Sequence, residues 1–205
     1  MPRADTGLVA GVVLAAGSST RMGRNKLLLP IGRETVVRRA VREALEAGLD
    51  PVVVVLGHEA EEVRAELRGL PCLAVVNADH ALGVGTSLRA GIAGAAAETR
   101  VGAAVVLLAD MPFVTASSIR TVVEKHRVSR APLVLSRYGD VDAPPTLYDR
   151  SLFPELLALA EGHCGKKVVR RHAHEAAVVA SSVGALRDID IAEDYERARA
   201  DLAEA

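Results

Sequence analysis

Leu8-Val-Ala-Gly-Val-Val-Leu14 runs without a charge into Ala15-Ala16-Gly17-Ser18-Ser19-Thr20-Arg21-Met22-Gly23-Arg24-Asn25-Lys26, and this passage from apolar run to cationic Gly/Ser loop decides the fold class. A short continuous apolar run bounded by turn residues reads as a strand buried on both faces, the kind found in parallel sheets covered by helices. The loop leaves that strand at its carboxyl end, where open α/β sheets bind ligands. Small residues there let backbone N–H groups approach phosphate oxygens, while Arg21 offers a forked donor and Lys26 a point charge. A surface loop with simply solvated cations has the same composition, and the loop alone leaves both readings open. It matches neither the P-loop nor the dinucleotide fingerprint. Gly83-Val84-Gly85 begins like the latter, but Leu88 stands where its third glycine belongs.

Outward from this stretch, apolar runs alternate with segments of helical period, the order of a parallel sheet wrapped by helices. Strands are predicted at 8–14, 51–57, 73–76, 101–109, 132–136, 147–148 and 176–180. Helices are predicted at 34–48, 59–68, 86–97, 115–128, 151–161, 166–172 and 192–204, and 137–146, with Gly139, Pro144 and Pro145, reads as a loop. No repeat or long linker divides the chain. We therefore expect one α/β domain over 1–205, with a nucleotide-binding half at about 7–135 and an acceptor-binding and C-terminal part at about 136–205.

The chain has 205 residues, and its 25 Lys and Arg against 26 Asp and Glu give a net charge of −1. That balance, with three Tyr, two Phe and no Trp, argues against nucleic-acid binding by a basic face or by stacking. No run reaches the ~18 apolar residues of a membrane span. Arg3 ahead of the apolar run imitates a signal peptide, but Asp5 interrupts the basic region and the run serves better as a strand. Cys72 and Cys164, far apart and outside any Cys-x-x-Cys pair, fit a reducing cytoplasm.

Asp110 ends the nine uncharged residues 101–109 and so belongs at the same carboxyl edge as the first loop. Mg²⁺ takes one or two carboxylates together with phosphate oxygens and waters, which makes Asp110 a candidate metal ligand. An Asp that only precedes a helix is the plainer alternative. His172-Ala-His174 can chelate a metal only if extended, and otherwise forms a solvated surface. His163-Cys164 points its two side chains apart, and Ser18-Ser19 lacks a nucleophile elbow, so covalent catalysis has little support. The cations Lys166, Lys167, Arg170 and Arg171 suit either an anionic acceptor or a solvated helix face.

Leu14-Ala-Ala-Gly-x-Ser-x-Arg-Met-Gly-x-x-Lys26-Leu-Leu-x-Pro30 resembles the opening of the molybdenum cofactor cytidylyltransferases, with the guanylyltransferases as near cousins and sugar-nucleotide enzymes more distant. The resemblance continues through Asn77, Gly83-Val-Gly-Thr-Ser87, Ala109-Asp110-Met-Pro112, Ala143-Pro-Pro-Thr-Leu-Tyr148, Cys164-Gly-Lys166 and Asp188-Ile-Asp190. It implies a Rossmann-like, three-layer nucleotidyltransferase fold with a mostly parallel central sheet. The implied reaction is Mg²⁺-dependent transfer of CMP from CTP to molybdopterin cofactor, with delivery to a client molybdoenzyme of the xanthine dehydrogenase type.

By the same resemblance, Leu14, Ala15, Ala16 and Gly17 hold base and ribose, Arg21 and Lys26 the triphosphate, and Ser87 the nucleotide from the other side, with Ser18, Asn77 and Gly83 as further nucleotide-binding positions and Arg21, Lys26 and Asp110 as the catalytic set. Asp190 joins Asp110 on the metal, with Asp188 in reserve, since period-two spacing puts Asp188 and Asp190 on one face. Glu193 and Asp194 read as negative charges in the first turn of the last helix. Gly162-His163 and Ala143 depart from the family pattern. The alternatives are guanylyl transfer, another NTP-to-phosphate transfer, or a non-catalytic cofactor carrier.

Overall fold

A computed structural model of the chain describes residues 7–19, 22–160 and 162–203, so that the expected triphosphate ligand Arg21 lies outside the described residues. In chain order the elements are β1 (Leu8–Ala15), β2 (Pro30–Ile31), β3 (Glu34–Thr35), α1 (Val36–Glu46), β4 (Val52–Leu56), α2 (Ala60–Glu66), β5 (Leu73–Val76), α3 (Val84–Ala96), β6 (Val101–Leu108), α4 (Ala116–Ser129), β7 (Leu133–Tyr138), β8 (Val141–Asp149), α5 (Phe153–Leu157), α6 (Lys166–His172), β9 (Ala177–Ser181) and α7 (Ala192–Ala203). A seven-stranded sheet runs in the order β5-β4-β1-β6-β8-β7-β9. Only β8 is antiparallel to its neighbours. The chain builds outward from β1 to β4 and β5, then returns to lay β6 on the other flank of β1. That reversal opens a crevice at the carboxyl ends of β1 and β6, the topological switch point where such sheets bind ligands.

Strand periodicity divides the apolar runs between two layers. Val9, Val13, Val54, Leu56, Val105 and Leu107 pack with Val37 and Val41 of α1, Ile119 of α4 and Tyr195 of α7. Val12, Val53, Val55, Ala104 and Val106 face Leu88 and Ile92 of α3 and Leu156 of α5. The expected mostly parallel α/β sheet between helical layers is the observed architecture. Among the described residues no helix is long and apolar enough to cross a membrane.

The segment expected to be a loop at 137–146 is instead the hairpin of β7 and β8. Register slips between Leu135, opposite Thr146, and Ser136, opposite Ala143, leaving Pro144 and Pro145 as the bulged residues. Proline has no N–H to offer a ladder, yet both carbonyls find donors: Ser136 Oγ donates to Pro145 O at 2.7 Å and Tyr138 Oη to Pro144 O at 2.8 Å. Gly139, at φ +61°, makes the turn. The helix expected at 151–161 is also shorter, α5 ending at Leu157.

Gly91 seats α3 on the sheet. A Cβ there would stand 2.3 Å from Val12 Cγ1 and 3.0 Å from Val55 Cγ2, both on fully buried valines. Gly91→Ala would gain ~1 kcal/mol in helix propensity but meets a contact whose relief costs ~1–3 kcal/mol. We expect a net loss of stability by urea unfolding, partly recovered when Val12→Ala is added.

Candidate functional site

The crevice beyond β1 is flanked on two sides by ordinary backbone bonding. Leu14 O accepts from Ala109 N at 3.1 Å and Ala16 O from His58 N at 3.4 Å, so the loop start is tied to the strand ends on either side. The resulting cleft, about 200 Å³, is lined by Leu14, Ala16, Gly17, Lys26, Leu27, Leu108, Asp110 and, from the β5–α3 connection and α3, His80, Val84 and Ser87. Ala15 turns its methyl into the opposite core layer, and Ser18 is exposed at the surface. His80 is absent from the sequence motifs, and Val84 enters them only as the middle of Gly83-Val84-Gly85. The available signal was their place in a β–α connection, which must pass over the sheet's carboxyl edge.

Lys26 is held by its neighbours before it meets any partner. Asn25 caps the turn that follows, its Oδ1 accepting from Leu27 N at 3.0 Å, while Lys26 N donates to Ser19 Oγ at 3.2 Å and Leu27 is buried. The ammonium then lies 2.5 Å from Asp110 Oδ2 and 3.1 Å from Asp190 Oδ1. Asp110 stands there because β6 ends at Leu108. Asp190 is brought over by its neighbour, whose backbone N–H donates to Asp110 O at 3.0 Å. That neighbour, Ile189, buries its side chain in the core, which turns Asp188 and Asp190 away from it. Lys26 meets Asp190 rather than Asp188.

Burial works against the Lys26 charge, but the adjacent Asp110, and then Asp190, outweigh it and raise its pKa, so the ammonium stays protonated at neutral pH. Burial raises the Asp188 carboxyl, and the like charges of Asp190 and Asp110 add to the rise. Two carboxylates already converge on one positive charge, and hard oxygens of this kind are the donors that Mg²⁺ and similar cations take. Among the described residues no group of three or more His, Cys, Asp or Glu side chains is arranged to hold a metal by itself. A cation held by Asp110 and Asp190 would therefore complete its shell with ligand oxygens and water. His172 and His174 are not the extended pair that a His-x-His chelate needs: His172 ends α6 and His174 lies in the tight helical turn that follows, His172 bonding Glu155 at 2.8 Å and His174 pairing with Glu175 at 3.2 Å.

Other expected residues take supporting positions. Asn77 Nδ2 donates to Thr86 Oγ1 at 2.8 Å and Ser87 Oγ at 3.0 Å, so its amide pins the first turn of α3 and orients Ser87. Gly83 precedes α3 at φ +116°, a conformation that favours glycine. A Cβ on Gly85 would stand 1.8 Å from His163 O, so that glycine serves packing against the segment before α6. Of the α6 cations, Arg171 pairs with Glu155 at 2.5 Å, while Lys166, Lys167 and Arg170 are exposed.

A family model described as MobA-like NTP transferase domain matches residues 11–177. The chain belongs to the MobA-like NTP transferase family. It is 33% identical over 175 residues to nicotine blue oxidoreductase of Paenarthrobacter nicotinovorans, covering 82% of this chain and 83% of that protein. It is 30% identical over 200 residues to the purine catabolism protein PucB of Bacillus subtilis strain 168, covering 92% and 95%. The crystal structure of Rv0371c from Mycobacterium tuberculosis H37Rv superposes with a TM-score of 0.81 at 30% identity, covering 98% of this chain and all of that one. A manganese complex of Rv0371c superposes at 0.77 and 29% identity, covering 96% of this chain and 100% of that one. Family and fold together make this MobA-like chain a nucleotidyltransferase. The matched range contains Lys26 and Asp110, whereas Asp190 lies beyond it.

Because Asp188 has a higher pKa folded than unfolded, its ionised form is penalised at neutral pH, and the penalty vanishes below the unfolded value, where both states are protonated. Asp188→Asn is expected to raise the melting temperature at pH 7.5 and to lose that advantage as the pH falls into the carboxylate range. Thermal melts across pH 4–8 check it.

Proposed function

We propose that this MobA-like domain transfers CMP from CTP to the terminal phosphate of molybdopterin cofactor and releases pyrophosphate. The observation that carries the reading is the Lys26 ammonium between Asp110 and Asp190, at 2.5 and 3.1 Å, a cluster in which Lys26 and Asp110 line a cleft together with Leu14, Ala16, Gly17 and Ser87. On this reading an acceptor phosphate oxygen bonds to the α-phosphorus of CTP while the bond to the bridging oxygen breaks and its electron pair leaves with pyrophosphate. Such chemistry needs positioning and charge neutralisation rather than a covalent intermediate.

Asp110 and Asp190 would hold a divalent cation, Mg²⁺ on this proposal, whose charge offsets that of the phosphates. Support comes from the manganese complex of Rv0371c, 29% identical to this chain. Lys26 would meet the leaving pyrophosphate, helped by Arg21, and the Leu14-to-Gly17 backbone with Ser87 would hold the nucleoside. The preference for CTP over GTP rests on Leu14-Ala15-Ala16-Gly17, where the guanylyl relatives have Leu-Ala-Gly-Gly. The name of PucB fits a client that acts on purines, as molybdoenzymes of the xanthine dehydrogenase type do.

Pyrophosphate release is measured with CTP, GTP, ATP and UTP, molybdopterin cofactor as acceptor, and Mg²⁺ or a chelator. CTP-dependent release abolished by the chelator is expected. A GTP preference makes the protein a guanylyltransferase, turnover of a sugar phosphate places it among the wider transferases, and cofactor binding without release makes it a carrier. The redox activity in the name of nicotine blue oxidoreductase is tested by following NADH and NADPH absorbance in the same samples. Asp110→Asn and Lys26→Ala should each keep the fold and lower turnover about 10²-fold or more. Near wild-type rates in either variant would remove that residue from the reaction.

A further inference from the structure

The first turn of α7 holds Asp190 from behind. Asp194 Oδ2 accepts the backbone N–H of Asp190 at 3.2 Å and that of Ile191 at 3.1 Å, while Asp194 Oδ1 takes the Arg197 guanidinium at 2.6 Å. On the other flank, Ile189 N–H donates to Asp110 O at 3.0 Å and the Ile189 side chain is buried. The backbone of Asp190 is thus fastened on one side to Asp110 and on the other to α7, which leaves its carboxylate only side-chain torsions.

An acidic residue at the third helical position that reaches back to the N–H just before the helix is one half of a capping box. The bond to Ile191 N–H meets that need. The bond to Asp190 N–H does not serve the helix: it fixes a residue outside it, the one whose side chain meets Lys26.

We propose that Asp194 is a positioning residue for nucleotidyl transfer: by fixing the Asp190 backbone it sets the separation of the Asp190 and Asp110 carboxylates for a shared divalent cation. The inference rests on the reading of Asp190 as a metal carboxylate. Partners that orient ligands in this way cost 10- to 100-fold in metal affinity when removed.

The test is a titration of the full chain with Mn²⁺ alone, with free Mn²⁺ read by electron paramagnetic resonance and each variant's melting temperature recorded. Asp194→Ala should raise the half-saturating Mn²⁺ concentration about 10-fold. Asp194→Asn should restore near wild-type binding, because its amide oxygen can accept the same two N–H bonds. Thr115→Ala, which removes the side chain that accepts from Ser118 N at the start of α4, controls for loss of a helix cap and should leave Mn²⁺ binding unchanged. Wild-type affinity in Asp194→Ala, or equal weakening in Asp194→Asn, overturns the proposal. If Asp194→Ala does not fold, Asp194→Leu takes its place; it keeps side-chain volume and helix propensity but offers no acceptor to either N–H, and wild-type affinity there overturns the proposal equally. Asp190→Asn separates the two levels: if it abolishes Mn²⁺ binding while Asp194→Ala does not, only the positioning role falls, and if it binds like wild type, the metal reading falls with it.

Discussion

The Lys26 ammonium gathers two carboxylates that would otherwise repel each other, Asp110 from the end of β6 and Asp190 from a segment 164 residues beyond the lysine. Half-buried charges are tolerated only when paired and hydrogen-bonded, because desolvation costs more than an isolated charge can recover. The arrangement around them follows from that constraint. Asn25, Ser19 and Leu27 fix the turn that carries the lysine, and Ile189 and Asp194 fix the extended segment before α7 that carries the second carboxylate. With Asp188 nearby, the described side chains at this point carry more negative than positive charge. A triphosphate would be repelled by that balance alone, which is the physical reason to expect a divalent cation as its companion.

The fold makes this meeting possible through the order of its strands. β1 lies between β4 and β6, so the Gly/Ser loop leaving β1 has Asp110 on one side and the turns after β4 and β5 on the other. α3 completes the cleft because Gly91 lets the helix ride close to Val12 and Val55. Asn77 then ties the exit of β5 to the first turn of that helix and aims Ser87. A chain whose net charge is only −1 over 205 residues thereby presents a strongly charged site.

Most of the sheet was legible because buried parallel strands are written as unbroken apolar runs: β1, β4 and β6 needed no other signal. The hairpin at 137–146 was not, since Pro144 and Pro145 have no N–H for a ladder and fit a strand only where a register slip takes them out of pairing and leaves their carbonyls in need of donors. Ser136 and Tyr138 supply them, from β7. His80 was missed because its one signal, a place in the β5–α3 connection, is positional rather than chemical. Asp194 looked like an ordinary helix-start charge, since its bond to the N–H of Asp190 is invisible without the turn geometry between them.

Sequence by itself determined what depends on local chemistry: apolar runs that must be buried, a small-residue loop able to approach phosphates, and a carboxylate at the end of a strand that admits no other charge. Resemblance added the family and the importance of the segment from Asp188 to Asp190. Tertiary structure decided which carboxylate meets Lys26, that Asn77 acts on α3, and that Gly85 serves packing. Those outcomes depend on hydrogen bonds and contacts between segments far apart in the chain, and such geometry has no local signature because it exists only once the sheet has brought the segments together.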